Sequence, residues 1–272
     1  MRASYSNGAI AALLAFPLMA GNGAAAETLR AGGTGSALGL LRQVGAEFTS
    51  AAETKIDTIP ALGSSGAVRA LADGKLDIAV LARPLTADQA AAGLVQLAVL
   101  RTAFVFATSH RSPNGLKSGD LARIYAADRP TWADGAPLRI ILRQRSEADT
   151  ALLGQLFVGM DAAIDAARRR ADVPTAATDQ DNVNLAEHVP GSLIGTTASQ
   201  LATERHDLRV VPLDGIAPSF ANFESGAYPF AKKLYVIVRA NGRSDARRFV
   251  DFLRSPPGVK ALRAAEALLD PE

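Results

Sequence analysis

The 272-residue sequence contains no cysteine, which excludes disulfides, thiolate metal sites and lipid attachment through an N-terminal cysteine. Aromatic residues make up only 6% of the chain, which argues against stacking platforms for sugars or nucleobases. The 3 histidines are isolated from one another and from other candidate ligands at helical or hairpin spacing, so we expect no metal site. The formal net charge of +2 gives no support for nucleic-acid binding.

The N-terminal residues follow the pattern of a secretory signal peptide. One positive residue, Arg2, precedes an almost entirely apolar stretch at 9–20, and small residues continue to Ala26, just before Glu27. The apolar stretch has about a dozen residues, whereas a transmembrane helix needs roughly twenty, so a permanent anchor is the weaker alternative. We therefore expect cleavage after Ala26 and a periplasmic mature chain, with no later segment apolar enough to span a membrane.

Short apolar runs alternate with amphipathic helical patterns along the mature chain, which predicts an α/β fold. Continuous apolar runs of strand length fit strands that are buried on both faces of a parallel sheet. The predicted strands cover residues 28–31, 56–62, 77–81, 138–142, 192–196, 208–213 and 233–239. The predicted helices cover residues 37–51, 67–76, 118–126, 148–171, 179–188, 244–254 and 257–269. A long apolar stretch at 97–107 is placed to carry the chain from one sheet into another.

Two turns rich in glycine and hydroxyl groups each follow a predicted strand and precede a predicted helix. The first anion turn is Gly32–Ser36, and the second anion turn is Gly63–Gly66. In such a turn the first backbone N–H groups of the helix face solvent, with the positive end of the helix dipole behind them. This arrangement suits an anion. Two copies predict a ligand that several helix N-termini hold together, and neither turn brings an obvious catalytic base.

The same residues argue against an enzyme. The sequence contains no Gly-x-Ser-x-Gly elbow, and Ser65 has no assignable base, so we expect no hydrolase and no catalytic residue. The first anion turn continues to Gly39, but this last glycine comes one position late for the dinucleotide fingerprint. We therefore expect no cofactor.

Three further motifs lie beside predicted strands and helices along the chain. Asp77–Leu85 comes after the second predicted helix, Trp132–Gly135 precedes the strand at 138–142, and Tyr228-Pro229 precedes the last predicted strand. Together with the two anion turns, they resemble the phosphate-type periplasmic solute-binding proteins of ABC importers, in the type II periplasmic-binding-protein superfamily. The resemblance runs from about Thr28 to the C-terminus.

This resemblance implies a two-lobed α/β fold of the periplasmic-binding-protein type. Each lobe would be a mostly parallel sheet flanked by helices, and two crossover strands would join them. Lobe 1 would comprise residues 27–107 and 229–272, and lobe 2 would comprise residues 108–228. Closure of the lobes around a small inorganic oxyanion, most readily phosphate, would present a surface to an inner-membrane ABC permease. We expect the protein to act as a monomer.

The resemblance also assigns ligand roles to individual residues. These are Thr34, Gly35 and Ser36, then Ser64, Ser65 and Gly66, then Arg143 with Ser146. Hydroxyl and N–H groups can satisfy a dehydrated oxyanion, and a guanidinium adds two parallel donors. Each assignment has a structural alternative, because the hydroxyl residues can serve as turn or helix-cap residues. Arg143 can instead form an ion pair with Glu147 or Asp149.

The chain departs from the family pattern at two places. Phosphate binders often carry an acid shortly before a Pro-Leu pair, where it accepts the proton of hydrogen phosphate, whereas this chain has Ala82-Arg83-Pro84-Leu85. Arg83 would add positive charge to the site, or would act as a surface or inter-lobe salt-bridge residue. Residues 143–150 also lack the family's serine-glycine-threonine run. The alternative function is therefore a periplasmic sensor or scaffold with the same fold and a weakened pocket.

Overall fold

The computed structural model describes residues 1, 28–52, 54–60 and 62–271. The predicted signal peptide lies outside these residues apart from Met1. Within the described ranges, no helix combines the length and the apolar character needed to cross a membrane.

Strands and helices alternate through most of the described chain. The strands are β1 (Thr28–Gly33), β2 (Lys55–Ile59), β3 (Ile78–Leu81), β4 (Leu94–Thr108), β5 (Arg139–Ile140), β6 (Leu142–Arg143), β7 (Thr175–Ala176), β8 (Ser192–Thr197), β9 (Arg209–Val211), β10 (Ala231–Arg239) and β11 (Ala267–Leu269). The helices are α1 (Leu38–Ala52), α2 (Gly63–Ala72), α3 (Ala87–Ala91), α4 (Leu121–Ala126), α5 (Ala148–Leu156), α6 (Met160–Arg168), α7 (Asp179–His188), α8 (Ala198–Glu204), α9 (Phe220–Glu224), α10 (Ser244–Arg254) and α11 (Pro256–Ala264).

The main sheet has the strand order β2-β1-β3-β10-β4-β8-β5, and β9 and β11 also pair with β4. β1 pairs in parallel with β2 and β3, and β5 pairs in parallel with β8. Among the named strands of the described residues, every antiparallel pair includes β4 or β10. These two long strands lie side by side and connect the two parallel regions. The predicted α/β class with crossover strands is therefore confirmed.

The buried hydrophobic residues form four clusters, which divide into two groups on either side of the connecting strands, named the first core and the second core. The first core draws its buried members from residues 29–100 and 234–267, and the second core draws them from residues 103–228. β4 contributes to both, because Leu100 belongs to the first core and Phe104 to the second. Two such cores fit a two-lobed molecule, while the lobe boundaries given above stay a prediction.

Four predicted elements differ from the structure. The strand predicted at 138–142 is divided into β5, which belongs to the main sheet, and β6, which pairs with β7 in a separate two-stranded sheet. The predicted helix at 148–171 is two helices, α5 and α6, because Phe157 is extended and Gly159 has a φ of 77°, in the left-handed region. The second anion turn, 63–66, is itself the first turn of α2. The predicted helix at 257–269 ends early, and its last residues form β11, which pairs with β4.

Candidate functional site

A cavity of about 680 Å³ lies between residues of the two cores. Thr34 and Ala82 line it where the parallel strands β1 and β3 end, and the first turns of α2 and α5 line it as well. The carboxyl ends of parallel strands meet at one edge of a sheet, which is where ligands of open α/β sheets bind. The strand order therefore brings segments that are distant in sequence to one cavity.

Six of the nine predicted ligand residues line this cavity. They are Thr34, Ser64, Ser65, Gly66, Arg83 and Ser146. The other three, Gly35, Ser36 and Arg143, are not among the residues that line it. The whole second anion turn therefore lines the cavity, whereas only Thr34 of the first anion turn does so.

The second anion turn is open to the cavity. Leu62, the N-cap residue of α2, makes no side-chain capping hydrogen bond, and the first N–H groups of a helix have no partner within the helix. The Ser64 hydroxyl accepts a hydrogen bond from the Ala82 N–H at 3.0 Å, which ties α2 to the end of β3. Among the described residues, no hydrogen bond engages the Ser65 hydroxyl, which leaves it available to a solute.

The first anion turn already holds a carboxylate of the protein. Asp179, the first residue of α7, accepts a hydrogen bond from the Ser36 N–H at 3.0 Å, and its Oδ2 lies 3.5 Å from Thr34 Oγ1. Next to it, Gln180 Nε2 donates to the Gly35 carbonyl at 3.0 Å. Asp179 is only 7% exposed, so its carboxylate is held inside the protein.

Arg143 is also engaged by the protein's own groups. Its side chain is 5% exposed, and Nη2 lies 3.2 Å from Glu147 Oε2 and 3.5 Å from Asp179 Oδ1. Nη1 donates to the Ala176 carbonyl at 3.2 Å. Of the two alternatives considered for Arg143, the ion pair with Glu147 is present, whereas Asp149 pairs with Lys232.

Carboxylates and cations share the walls of the cavity. The pKa of Glu147 lies above its ordinary value, chiefly because the carboxyl is partly buried. The Arg143 guanidinium offsets part of this rise, and the Asp179 carboxylate adds to it. Burial likewise raises the pKa of Asp149, and the ammonium of Lys232 lowers it. The cavity is therefore a mixed electrostatic environment, which composition alone does not reveal.

The remaining cations differ in how they are held. The Arg83 Nη1 donates to Gln89 Oε1 at 3.1 Å, beside its own loop, and Arg145 Nη1 lies 2.7 Å from Asp165 Oδ1. Arg69 lines the cavity from α2 and makes no ion pair among the described residues. Arg69 is not among the residues predicted from the sequence, although it follows Ser65 by four residues and therefore shares a helix face with it.

Residues 19–257 match the family described as PBP superfamily domain. The chain belongs to the PBP superfamily. A search of curated proteins finds no match.

Solved structures share the fold of this PBP-superfamily chain. A phosphate-bound protein from Clostridium perfringens, which carries the name phosphate ABC transporter substrate-binding protein, has a TM-score of 0.72 at 15% identity, covering 90% of this chain and 100% of that chain. An ABC-type phosphate transport receptor from Vibrio cholerae has a TM-score of 0.59 at 15% identity, covering 89% and 100%. The periplasmic molybdate-binding protein of Azotobacter vinelandii has a TM-score of 0.58 at 12% identity, also covering 89% and 100%.

Proposed function

We propose that this chain is a periplasmic solute-binding protein that captures a small oxyanion, phosphate in the first instance, and delivers it to an inner-membrane ABC permease. The main support is the second anion turn, which brings uncapped N–H groups and the Ser65 hydroxyl to the cavity between the cores. Arg69 and Arg83 add positive charge around the same cavity. The fold likeness to proteins named for phosphate and molybdate supports the oxyanion class.

The second anion turn would bind the solute through neutral hydrogen-bond donors. N–H and hydroxyl donors stabilise an oxyanion without requiring one fixed charge state, and the helix dipole of α2 favours a negative group at its N-terminus. Residues 27–107 with 229–272 would form one lobe and residues 108–228 the other, with the connecting strands acting as the hinge. The signal peptide would direct secretion, and cleavage after Ala26 would release the mature chain into the periplasm.

A specific observation favours the alternative function, a sensor or scaffold with a weakened pocket. Two of the predicted donors, the Ser36 N–H and the Arg143 guanidinium, are already engaged by Asp179. The acid that would accept a phosphate proton is also replaced by Ala82. Such a protein would transmit a signal through a membrane partner without capturing a solute.

Isothermal titration calorimetry of the mature chain with phosphate, sulfate, molybdate and small organic acids separates the two functions. Capture predicts saturable binding of one oxyanion, and Ser65→Ala should weaken it about tenfold, or about 1.4 kcal/mol. Ser50→Ala is the matched control, because Ser50 lies on the exposed face of α1. Absence of binding by every anion would refute capture and favour the alternative, and equal affinity of the Ser65 variant would refute the proposed position.

A further inference from the structure

The side chain of Asp179 crosses from the second core to the first. α7 belongs to the second core, whereas Thr34 and Ser36 follow β1 of the first core. Asp179 Oδ2 accepts the Ser36 N–H and faces Thr34 Oγ1, while Oδ1 faces Arg143 Nη2. A backbone N–H, a hydroxyl and a guanidinium are the kinds of donor that hold an oxyanion.

The donors around Asp179 are buried with it. Thr34 is 5% exposed, at the wall of the cavity, and Ser36 is 1% exposed, so solvent has little access to these groups. The Arg143 Nε atom is buried and has no hydrogen-bond partner among the described residues. A buried guanidinium with spare donor capacity beside one carboxylate indicates a site built around negative charge.

Neighbouring contacts hold α7 against the first anion turn and α8 against α1. Gln180 Nε2 donates both to the Gly35 carbonyl and to Glu204 Oε1, each at 3.0 Å. A Cβ on Gly39 would lie 2.0 Å from Thr203 Oγ1, so glycine permits the close approach of α1 to α8. Asp179 is therefore the charged centre of a contact between the two cores that needs no solute.

We propose that Asp179 is an intramolecular anionic ligand of the first anion turn and thereby a specificity-determining residue of the cleft. Its carboxylate takes the donors that a solute oxyanion would otherwise use, and it confines a solute to the second anion turn. It also holds the two cores together in the absence of a solute. The competition part of this inference rests on the proposed function, whereas the contact between the cores does not.

The first test measures the separation of the cores without any solute. Because the chain has no cysteine, Ala72→Cys and Val158→Cys supply unique spin-label sites at exposed positions, one on each side of the cleft. Asp179→Asn removes the charge, and Asp181→Asn is the matched control in the same helical turn, where Asp181 caps α7.

Pulsed electron–electron double resonance should give the same distance between the two labels in the protein without further substitution and in the Asp181→Asn variant. In the Asp179→Asn variant the mean distance should increase by more than the width of the unmutated distribution. An unchanged distribution would overturn the inference. Asp179→Ser carries the same expectation and replaces the Asn variant if that variant does not fold cooperatively.

The second test measures competition by calorimetry with inorganic phosphate. Asp179→Asn should bind phosphate at least about tenfold more tightly than the wild type, and Asp181→Asn should match the wild type. Equal or weaker binding by the Asp179 variant would overturn the competition. If no variant binds phosphate, the proposed capture of phosphate fails, and the label distances alone then decide whether Asp179 joins the cores.

Discussion

Lys232 and Asp149 form a buried ion pair beside the cavity, and removing one partner should be strongly destabilising. The pair joins β10 to α5, and the side chains are only 3% and 5% exposed. Lys232→Met keeps the apolar stem and removes the ammonium, which leaves the Asp149 carboxylate buried without its closest cation. Breaking a buried pair in this way costs about 3–5 kcal/mol of unfolding free energy. Arg143 also favours the charged form of Asp149, so we expect a value near the lower end.

The loss of unfolding free energy in Lys232→Met should depend on pH. Burial raises the pKa of Asp149 above its ordinary value of 3.8, and Lys232 counteracts part of this rise. Without Lys232 the folded-state pKa rises further, so the folded protein binds a proton at a pH where the unfolded chain does not. Stability is then gained as the pH falls from the folded pKa toward 3.8, and it is lost as the pH rises through the folded pKa. The deficit of Lys232→Met should therefore be larger at pH 8 than at pH 5.

Urea unfolding at both pH values measures this effect. Lys233→Met is the matched control, because Lys233 is the next residue, is 53% exposed and pairs with Asp270. It should cost less than about 1 kcal/mol, as surface ion pairs do. The double variant Lys232→Met with Asp149→Asn should recover much of the loss, because no unpaired charge is then buried. A Lys232 penalty that equals the Lys233 penalty, or that is the same at both pH values, would refute the reasoning.

Two further substitutions test the sheet and the second core. A Cβ on Gly33 would lie 1.9 Å from the Val80 carbonyl oxygen, so Gly33→Ala should force β1 and β3 apart and cost about 2 kcal/mol or more in thermal unfolding; wild-type stability would contradict this close approach. The Tyr228 hydroxyl donates to the Phe104 carbonyl at 2.9 Å, and Tyr228→Phe should cost about 1–2 kcal/mol because it leaves a buried acceptor unpaired; an unchanged unfolding free energy would contradict the hydrogen bond.

The fold class could be predicted because buried strands leave a local signal. β3 is buried at all four positions and β10 at five of nine, and both coincide with apolar runs in the sequence. The long stretch at 97–107 lies within β4 for the same reason, since this strand passes through both cores. These elements depend on burial of their own side chains, which composition along the chain reports directly.

The internal boundaries were less predictable because they depend on backbone geometry and on distant partners. Alanine-rich residues on both sides of Phe157 favour one long helix, and the left-handed φ of Gly159 ends that pattern. β11 forms because residues 267–269 meet the edge of β4, about 165 positions earlier in the chain. Helical periodicity continues up to these residues and contains no information about that partner.

The same difference between local sequence signals and distant partners applies to the candidate site. A buried N–H group requires an acceptor, and a glycine-rich turn at a helix start therefore predicts an anion. The turn does not specify whether that anion is a solute or a side chain. At the first anion turn the donors are buried against the second core, so a permanent acceptor is needed, and Asp179 supplies it from 143 positions away. The second anion turn lines a cavity, where water can satisfy its donors until a solute arrives. Local sequence thus predicts donors, whereas only the packing of the two cores decides which turn stays available.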